Sequence, residues 1–409
     1  MPTSEPQRCY VYIQLPESLD VVTCGQFELD REVGRFVYGK SYLASPRAVP
    51  LDPFELPLRD GTFESARNGG MFGALRDSSP DSWGRRVIER ELGRVDLSEV
   101  DYLLHSPEDR AGALSFGTRV EPPAPVHDFN KILQLEALVA EAQRIEDGLP
   151  PSSRQVASLA NAGSSLGGAR PKNVVEDRSG LWVAKFPSKN DRWNYVAAEA
   201  AMLELARECG LTSAEWKLSS VGDTPVLLVR RFDRASPKRG YVRHRMVSAL
   251  TALRADEADR ARWSYVLLAD ELMRWVADPT RDLAELFGRM VFNALISNID
   301  DHPRNHALIA ETRKWRLSPA YDLTPFPQAS QERDLAMIAG RSRRATRQNL
   351  LSECARFRIS REDADARITS MKKLIAVRWR PLLRDCGGTP TDAKALERAF
   401  NFDGFEYEG

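Results

Sequence analysis

Three oxygen-bearing side chains near residue 300 have the order that phosphoryl transfer requires. Asn305 follows Asp300 by five residues, and a second carboxylate, Asp322, comes after a short hairpin segment. In phosphoryl transfer a first Asp orients the attacking hydroxyl, while an Asn and a later Asp hold Mg²⁺ on the phosphates. We therefore predict Asp300 as the catalytic base and Asn305 and Asp322 as metal ligands. These residues alone also allow a polar loop whose Asp and Asn side chains cap turns.

The elements around this loop can be predicted from periodicity. Apolar residues recur at helical spacing from Leu283 to Leu295, which predicts an amphipathic helix that supports the loop from a core. The runs His306–Ile309 and Trp315–Leu317 predict the hairpin that leads to Asp322. Further along, Ser360 begins a predicted capped helix.

A zinc site is not indicated. His302 and His306 are four residues apart, but Pro303 lies between them and no Glu follows the first histidine, so a zinc-protease interpretation is poor. The cysteines are scattered and odd in number, and no pair has metal-ligand spacing: Cys9, Cys24, Cys209, Cys354 and Cys386. We expect reduced thiols in a cytoplasm rather than a disulfide framework.

A glycine-rich stretch, residues 163–172, lies upstream. Its glycines and hydroxyls would let a backbone approach phosphate oxygens, and Lys172 would add positive charge,. The spacing is neither that of a Walker A loop nor that of GxGxxG. Taken alone, a plain surface turn explains the stretch equally well.

A lysine strand and a glutamate helix come next. The strand Leu181–Pro187 places Lys185 among apolar residues, where a charge needs an anionic partner,. The predicted helix Asn194–Cys209 carries Glu199 on its apolar stripe,. Kinases use such an ion pair to position Lys on the nucleotide phosphates. Equally compatible is a Lys185 that extends to water with Glu199 at the helix edge.

A further strand, Pro225–Val229, leads into the charged run 230–234. Backbone at this strand end could hydrogen-bond an adenine edge, and Phe232 could line its pocket. Without the surrounding motifs, a solvated turn is the preferred interpretation of the charged run.

The bulk properties exclude several classes of protein. The chain has 409 residues, enough for two or three packed units,. Its formal net charge is +0, so whole-chain electrostatics do not favour binding to nucleic acid or to a membrane. No uninterrupted apolar run approaches membrane-spanning length, and the polar start lacks an apolar signal core,. A basic run could touch nucleic acid or an acidic partner, although a solvated helix face is preferred: Arg341, Arg343, Arg344 and Arg347,.

Composition divides the chain into three parts. Val11–Ile13 and Phe36–Tyr38 predict a small antiparallel meander, for which a structural role is preferred over a partner surface,. Glu121–Pro125 is proline-rich and predicts a stiff linker,. We predict a β-rich subdomain over 1–120, a lobe with the glycine-rich loop over 121–240, and a helical lobe with the catalytic loop over 241–409.

In chain order, these motifs resemble the HipA-like serine/threonine kinases, the toxin half of bacterial type II toxin–antitoxin pairs. The segments that carry the resemblance are 165–172, 183–187, 231–234, 298–305 and 321–323, with 72, 80–84 and 112–114 in the first region. The resemblance implies an α+β, bilobal protein-kinase-like (phosphoinositide-kinase-like) fold with a β-rich N-terminal subdomain and an all-α C-terminal lobe.

The resemblance also implies roles for individual residues. Asp300 is the base, Asn305 and Asp322 ligate Mg²⁺, and Ser165, with Ser164 as runner-up, is autophosphorylated, which expels the loop and inactivates the enzyme. The residues expected to meet ATP are Gly167, Gly168, Ala169, Arg170, Pro171, Lys172, Lys185, Glu199, Arg230, Arg231, Phe232, His302, Pro303, Arg304, Asn305 and Asp322.

Partners are implied in the same way. Family members bind a small helix-turn-helix antitoxin that carries most DNA recognition, so contact with DNA would be indirect. Characterised members phosphorylate aminoacyl-tRNA synthetases. Two alternatives stay open, a small-molecule kinase of related fold and a DNA-bound co-repressor.

Overall fold

A computed structural model describes residues 7–107, 110–124, 129–147, 149, 170–235, 240–400 and 402–407. The glycine-rich stretch up to residue 169, and with it Ser164, Ser165, Gly167, Gly168 and Ala169, lies outside these residues. The strands are β1 (Gln7–Gln14), β2 (Val21–Asp30), β3 (Val33–Tyr38), β4 (Thr62–Ser65), β5 (Leu114–Gly117), β6 (Asn130–Lys131), β7 (Lys172–Asp177), β8 (Gly180–Lys185), β9 (Trp216–Val221), β10 (Thr224–Arg230), β11 (Arg234–Ala235), β12 (Val242–Arg243), β13 (Arg245–Ser248), β14 (Ala307–Ala310) and β15 (Arg316–Leu317). The helices are α1 (Lys40–Leu43), α2 (Gly73–Asp77), α3 (Ser82–Leu92), α4 (Glu99–His105), α5 (Leu135–Glu146), α6 (Tyr195–Glu208), α7 (Ala249–Ala252), α8 (Tyr265–Trp275), α9 (Pro279–Leu295), α10 (Arg347–Ser352), α11 (Arg361–Asp385) and α12 (Pro390–Leu396).

The chain divides into two compact units. Unit 1 consists of Met1–Ser188, Arg230–Asp256 and Leu308–Trp315, and unit 2 consists of Lys189–Val229, Glu257–Ala307 and Arg316–Gly409. The division into domains at residues 120 and 240 stays a prediction.

Unit 1 contains an antiparallel sheet with the strand order β4-β3-β2-β1-β5. Alternate residues of its strands point to one face, and there Val11, Ile13, Phe27 and Phe36 are fully buried,. The predicted meander is therefore confirmed and extended by two further strands. In the same unit β6, β7 and β8 lie side by side, with Lys172 directly opposite Lys185 in the antiparallel pair β7–β8.

Unit 2 is built around buried helices. Asp278 caps α9 by accepting a hydrogen bond from the Arg281 N–H, and Pro279 occupies the first turn, where its missing N–H costs nothing,. The predicted helix is confirmed, but residues on every side of its second half are buried. Because α9 is surrounded by other elements, it provides a rigid base for the loop at its carboxyl end. Across the described residues, no helix combines the length and apolar character needed to cross a bilayer.

Two expectations for the region after residue 241 need correction. Strands β12 to β15 lie there, so the region is not all-α. The predicted hairpin strands are present as β14 and β15, whereas β12 and β13 were not predicted because strands of two and four residues are too short to give a periodic signal,. The basic run is not a helix face either, since α10 begins only at Arg347. Asn349 instead hydrogen-bonds the backbone of residues 341, 342 and 344 and holds them in a loop.

Candidate active site

The catalytic-loop segment leaves the buried end of α9 through a tight reversal. Ser297 has φ of +55°, in the left-handed region, and the Asn298 N–H donates to the Asn293 carbonyl at 2.9 Å. The Ser297 hydroxyl donates to the Ala399 carbonyl at 2.6 Å. These bonds fix where the loop begins, because they replace the helical hydrogen bonds that α9 no longer supplies.

Asp300 points outward from this loop. Its side chain is 80% exposed, and its carboxylate oxygen Oδ1 lies 4.0 Å from His302 Nε2. Crowding by the surrounding chain, which removes hydration from the charged form, raises the pKa of Asp300; His302 lowers it, and the carboxylates of Asp322 and Asp301 raise it further,. An accessible carboxylate with a raised pKa is suited to accept a proton.

Asn305 holds the loop closed and leaves one oxygen unused. Its amide Nδ2 donates to the Asp300 carbonyl at 2.8 Å. Its Oδ1 is buried and has no hydrogen-bond partner among the described residues. Such an oxygen is costly unless something occupies it, so the amide fits a ligand for a hard cation.

Asp322 is positioned by its neighbour. It adopts φ of +59°, and the Tyr321 hydroxyl donates to the Arg304 carbonyl at 2.8 Å, which ties this segment to the catalytic loop. Within the described residues no three His, Cys, Asp or Glu side chains form a metal-binding group. Oxygens from one amide and one carboxylate, with phosphate oxygens supplying the rest, are the ligands that Mg²⁺ prefers. The residues present therefore fit Mg²⁺ and do not fit zinc.

A buried polar network lies beneath the loop and was not predicted. Asp301 is 1% exposed; it accepts hydrogen bonds from the Tyr265 hydroxyl and, at 2.7 Å, pairs with His306 Nε2. Asn293 donates to the Tyr265 hydroxyl at 3.0 Å, and Asn298 donates to Asn293 at 3.1 Å. The five-residue spacing of Asp301 and His306 repeats that of Asp300 and Asn305 and was the available signal. Tyr265, in contrast, comes from α8 and has no local signature.

The remaining predicted residues of the loop form a short 3-10 turn, Pro303–Asn305. Arg304 pairs with Glu257 at 2.6 Å. The edge of the Trp263 ring faces His302, with ring centroids 6.4 Å apart. The turn thus sets how far apart in space Asp300 and Asn305 lie.

The two lysines predicted to contact ATP, Lys172 and Lys185, differ in their surroundings. Lys172 is buried at the first residue of β7 and forms an ion pair with Asp81, which also caps α3. Lys185 is half-buried at the end of β8. Glu199 is buried in α6, which belongs to unit 2, so its pairing with Lys185 stays a prediction. Of the glycine-rich stretch, Arg170 is half-buried and the Pro171 carbonyl accepts from the Phe186 N–H at 3.1 Å.

The charged run after β10 is a buried ion cluster, so the expected solvated turn is wrong. Arg231 donates to both carboxylate oxygens of Asp233 at 2.8 Å, and Arg234 donates to one of them at 2.7 Å. The Gly112 N–H donates to the same carboxylate at 2.9 Å. Burial disfavours this charge, yet the two guanidiniums hold the pKa of Asp233 well below its usual range,.

The cluster also bears on the predicted adenine contact. The Arg231 N–H already donates to the Leu181 carbonyl at 2.9 Å. The Arg230 guanidinium lies 5.6 Å from the centre of the Trp182 ring, and Phe232 is half-buried. Contact of Arg230, Arg231 and Phe232 with adenine stays a prediction. Because the backbone N–H of Arg231 is already used, any contact of Arg231 with adenine must use another of its groups.

Two family profiles match the sequence. The HipA-like C-terminal domain matches residues 164–379, more than half of the chain, and the HipA N-terminal domain matches residues 18–117. The chain belongs to the HipA-like family. The predicted family membership is confirmed, and the two profiles together span every segment that carries the resemblance.

Relatives and a solved structure agree with this assignment. A curated Sinorhizobium fredii protein named "Putative kinase Y4mE" is 28% identical over 349 residues, which is 78% of each chain. A second protein of that organism, Y4dM, is 29% identical over 185 residues, covering 42% of this chain and 44% of that one. The HipA chain in a complex of Shewanella oneidensis MR-1 HipA, HipB and operator DNA superposes with a TM-score of 0.69 at 18% identity, covering 95% of this chain and 94% of that one. The mixed helix-and-strand HipA fold is therefore confirmed, whereas its division into two kinase lobes stays a prediction.

Proposed function

We propose that this chain is an ATP- and Mg²⁺-dependent serine/threonine-protein kinase, the toxin of a toxin–antitoxin pair. The observation that carries the proposal is the combination of an accessible Asp300 carboxylate with a buried, unpartnered Asn305 oxygen on one short loop of the described chain. Family membership and relatives that are named as kinases support it. Phosphoryl transfer explains both features, because it needs a base and an oxygen ligand at this spacing.

The chain's own residues would act as follows. Asp300 accepts the proton of the substrate hydroxyl, for which its exposed position on the loop suits it,. Asn305 keeps the loop closed through the Asp300 carbonyl. When bound, Mg²⁺ neutralises charge on the ATP phosphates, and Asn305 and Asp322 would hold it. Lys185, positioned by Glu199, would bind the phosphates.

Partners and regulation belong to the same proposal. The partner is a helix-turn-helix antitoxin that contacts operator DNA, as supported by the Shewanella complex of HipA with HipB and DNA. In the basic run, Arg344 pairs with Glu332, and Arg347 pairs with Asp365 and Glu406, which favours indirect contact with DNA. An aminoacyl-tRNA synthetase is the candidate substrate. Ser165, with Ser164 as runner-up, is the proposed site of inactivating autophosphorylation.

A cell extract incubated with γ-labelled ATP tests the proposal. The intact chain should label a protein band, and Asp300→Asn should not. Label confined to small molecules would replace the protein kinase by a metabolite kinase. Ser165→Ala should keep activity and lose self-inactivation, and mass spectrometry that finds phosphate only on other residues would contradict the autophosphorylation site.

A further inference from the structure

Unit 2 contains a cavity of about 410 Å³. Among the described residues that line it, the charged ones are Arg333, Arg341, Arg344 and Glu332. The lining is therefore basic, although the net charge of the whole chain is +0. We call this space the Arg333 cavity.

Arg333 is a buried cation whose contacts in the described chain are all neutral. Only 5% of the residue is exposed, and its guanidinium donates to the Ser297 hydroxyl and to the carbonyls of Ala399 and Arg398 while lying 3.9 Å from the centre of the Phe402 ring. Its Nε has no hydrogen-bond partner among the described residues. Burial lowers the pKa of Arg333 to about 10, the direction expected for a cation that no carboxylate compensates.

The rim of the cavity is a preformed loop. Asn349 Oδ1 accepts from the N–H groups of Arg341 and Ser342 at 3.0 and 3.2 Å, and its Nδ2 donates to the carbonyls of Ser342 and Arg344 at 2.9 and 2.8 Å. The Arg341 side chain is 79% exposed and lies 3.5 Å from Glu353. An exposed pair at this distance is weak, so Arg341 can turn toward an anion at little cost.

We propose that the Arg333 cavity binds a phosphate group, either as inorganic phosphate or as a phosphate monoester. A guanidinium presents its N–H donors in a fork that matches phosphate oxygens. A buried charge is costly until an opposite charge pairs with it, and a phosphate group in the cavity supplies that charge to Arg333. The volume of about 410 Å³ exceeds that of a bare ion and leaves room for the organic part of a monoester,.

The site also contacts the base of the catalytic loop. Arg333 donates to Ser297, which begins the reversal that leads to Asp300. A bound anion orders Arg333, and through it Ser297. Binding should therefore protect the backbone N–H groups of Ser297 and Asn298 from hydrogen exchange.

Calorimetric titration of the full-length Asp300→Asn chain tests the proposal. That background removes turnover, so the result does not depend on kinase activity. The probes are inorganic phosphate and O-phosphoserine, with serine as the control that lacks the phosphate. Arg341→Gln on the same background should weaken binding by about tenfold, the loss of one charge-assisted hydrogen bond. Arg384→Gln removes an arginine that is 77% exposed and pairs with the adjacent Asp385, and it should leave affinity unchanged.

Each result supports or overturns the proposal. Binding of both probes identifies a general phosphate site, and binding of O-phosphoserine alone identifies a monoester site. The proposal fails if neither probe binds, or if Arg341→Gln and Arg384→Gln weaken binding equally, since phosphate would then occupy another site. Arg333→Lys, which keeps the charge and removes the fork, should also weaken binding; should it not fold, Arg344→Gln takes its place.

Discussion

The Asp233 cluster of unit 1 and the Asp300 loop of unit 2 look alike in sequence, since each is a short run of charged residues after an apolar element. In the structure they differ completely. Asp233 is buried, and its carboxylate accepts four hydrogen bonds from Arg231, Arg234 and Gly112. Asp300 is exposed on a loop where a neighbouring amide oxygen has no partner among the described residues.

The difference distinguishes charged groups that stabilise the fold from charged groups that are available to a substrate. A carboxylate whose hydrogen bonds are all satisfied by its own chain has no free capacity for a substrate. An exposed carboxylate beside an unpartnered oxygen has that capacity. The unpartnered oxygen lowers the stability of the fold. Functional residues are therefore better identified by unsatisfied groups than by charge alone.

The largest effect is expected for Asp300→Asn. Loss of the base should reduce phosphoryl transfer by about 10³–10⁴-fold, ~4–5.5 kcal/mol in activation free energy. The melting temperature should stay within about 2 °C of wild type, because an exposed side chain contributes little stability. Asp403→Asn, an exposed carboxylate of the same unit, is the matched control. A rate equal to that of this control would remove Asp300 from the mechanism.

Asp233→Asn should show the opposite pattern. Two buried guanidiniums lose their counter-charge, so the free energy of unfolding should fall by about 3–4 kcal/mol. The pKa of folded Asp233 lies below its usual 3.8. Its stabilisation is thus present above that pH and is lost as pH falls, and the mutant should lose this acid-dependent part. Urea unfolding of both proteins at several pH values measures it, with exposed Asp223→Asn as control. Equal stability of mutant and control would show that the cluster is dispensable.

Asp52 is a buried carboxyl of unit 1 that is bound by backbone N–H groups. Its effect on stability should depend on pH in the opposite sense to that of Asp233. Burial raises its pKa to about 7, and its Oδ1 accepts from the N–H groups of Phe54 and Glu55. A raised folded pKa means that stability is present below the ordinary pKa of 3.8 and is lost as pH rises toward 7,. Asp52→Asn keeps the accepting oxygen and cannot ionise. It should exceed wild type by ~2–4 kcal/mol at pH 8, with the difference shrinking as pH falls. A difference that does not change with pH would contradict the raised pKa.

The smallest effect is expected for Tyr265→Phe. Asp301 loses one donor in the buried network, which should cost about 1–2 kcal/mol of stability. The phosphoryl-transfer rate should fall by about tenfold because the loop that carries Asp300 loses support. Tyr407→Phe, at a half-exposed position of the same unit, is the control for both measurements. Unchanged rate with reduced stability would show that the network supports the fold and not the reaction.

Periodic segments could be predicted from the sequence. The regular spacing of apolar residues in β8, α6 and α9 identified each element, because local pattern and burial agree there,. The two strands of the predicted hairpin, β14 and β15, were found, but β12 and β13 escaped prediction because elements of two and four residues are too short to show a periodic pattern,.

The candidate site was predictable only in part. The spacing of Asp300, Asn305 and Asp322 was visible, but Asp300 and Asp301 are adjacent and chemically identical in sequence. Which of them faces solvent depends on Tyr265, 36 residues earlier, whose hydroxyl binds Asp301 in the core.

The sequence by itself therefore determined the family, the order of the motifs and the type of chemistry that they allow. Only the tertiary structure decided which charges are buried and paired and which stay accessible. The physical reason is that the free energy of a charged group depends on partners from distant parts of the chain, as with Gly112 and Asp233, 121 residues apart,. For Arg333, the same structure placed a cation in the core with neutral neighbours, which no local pattern could show.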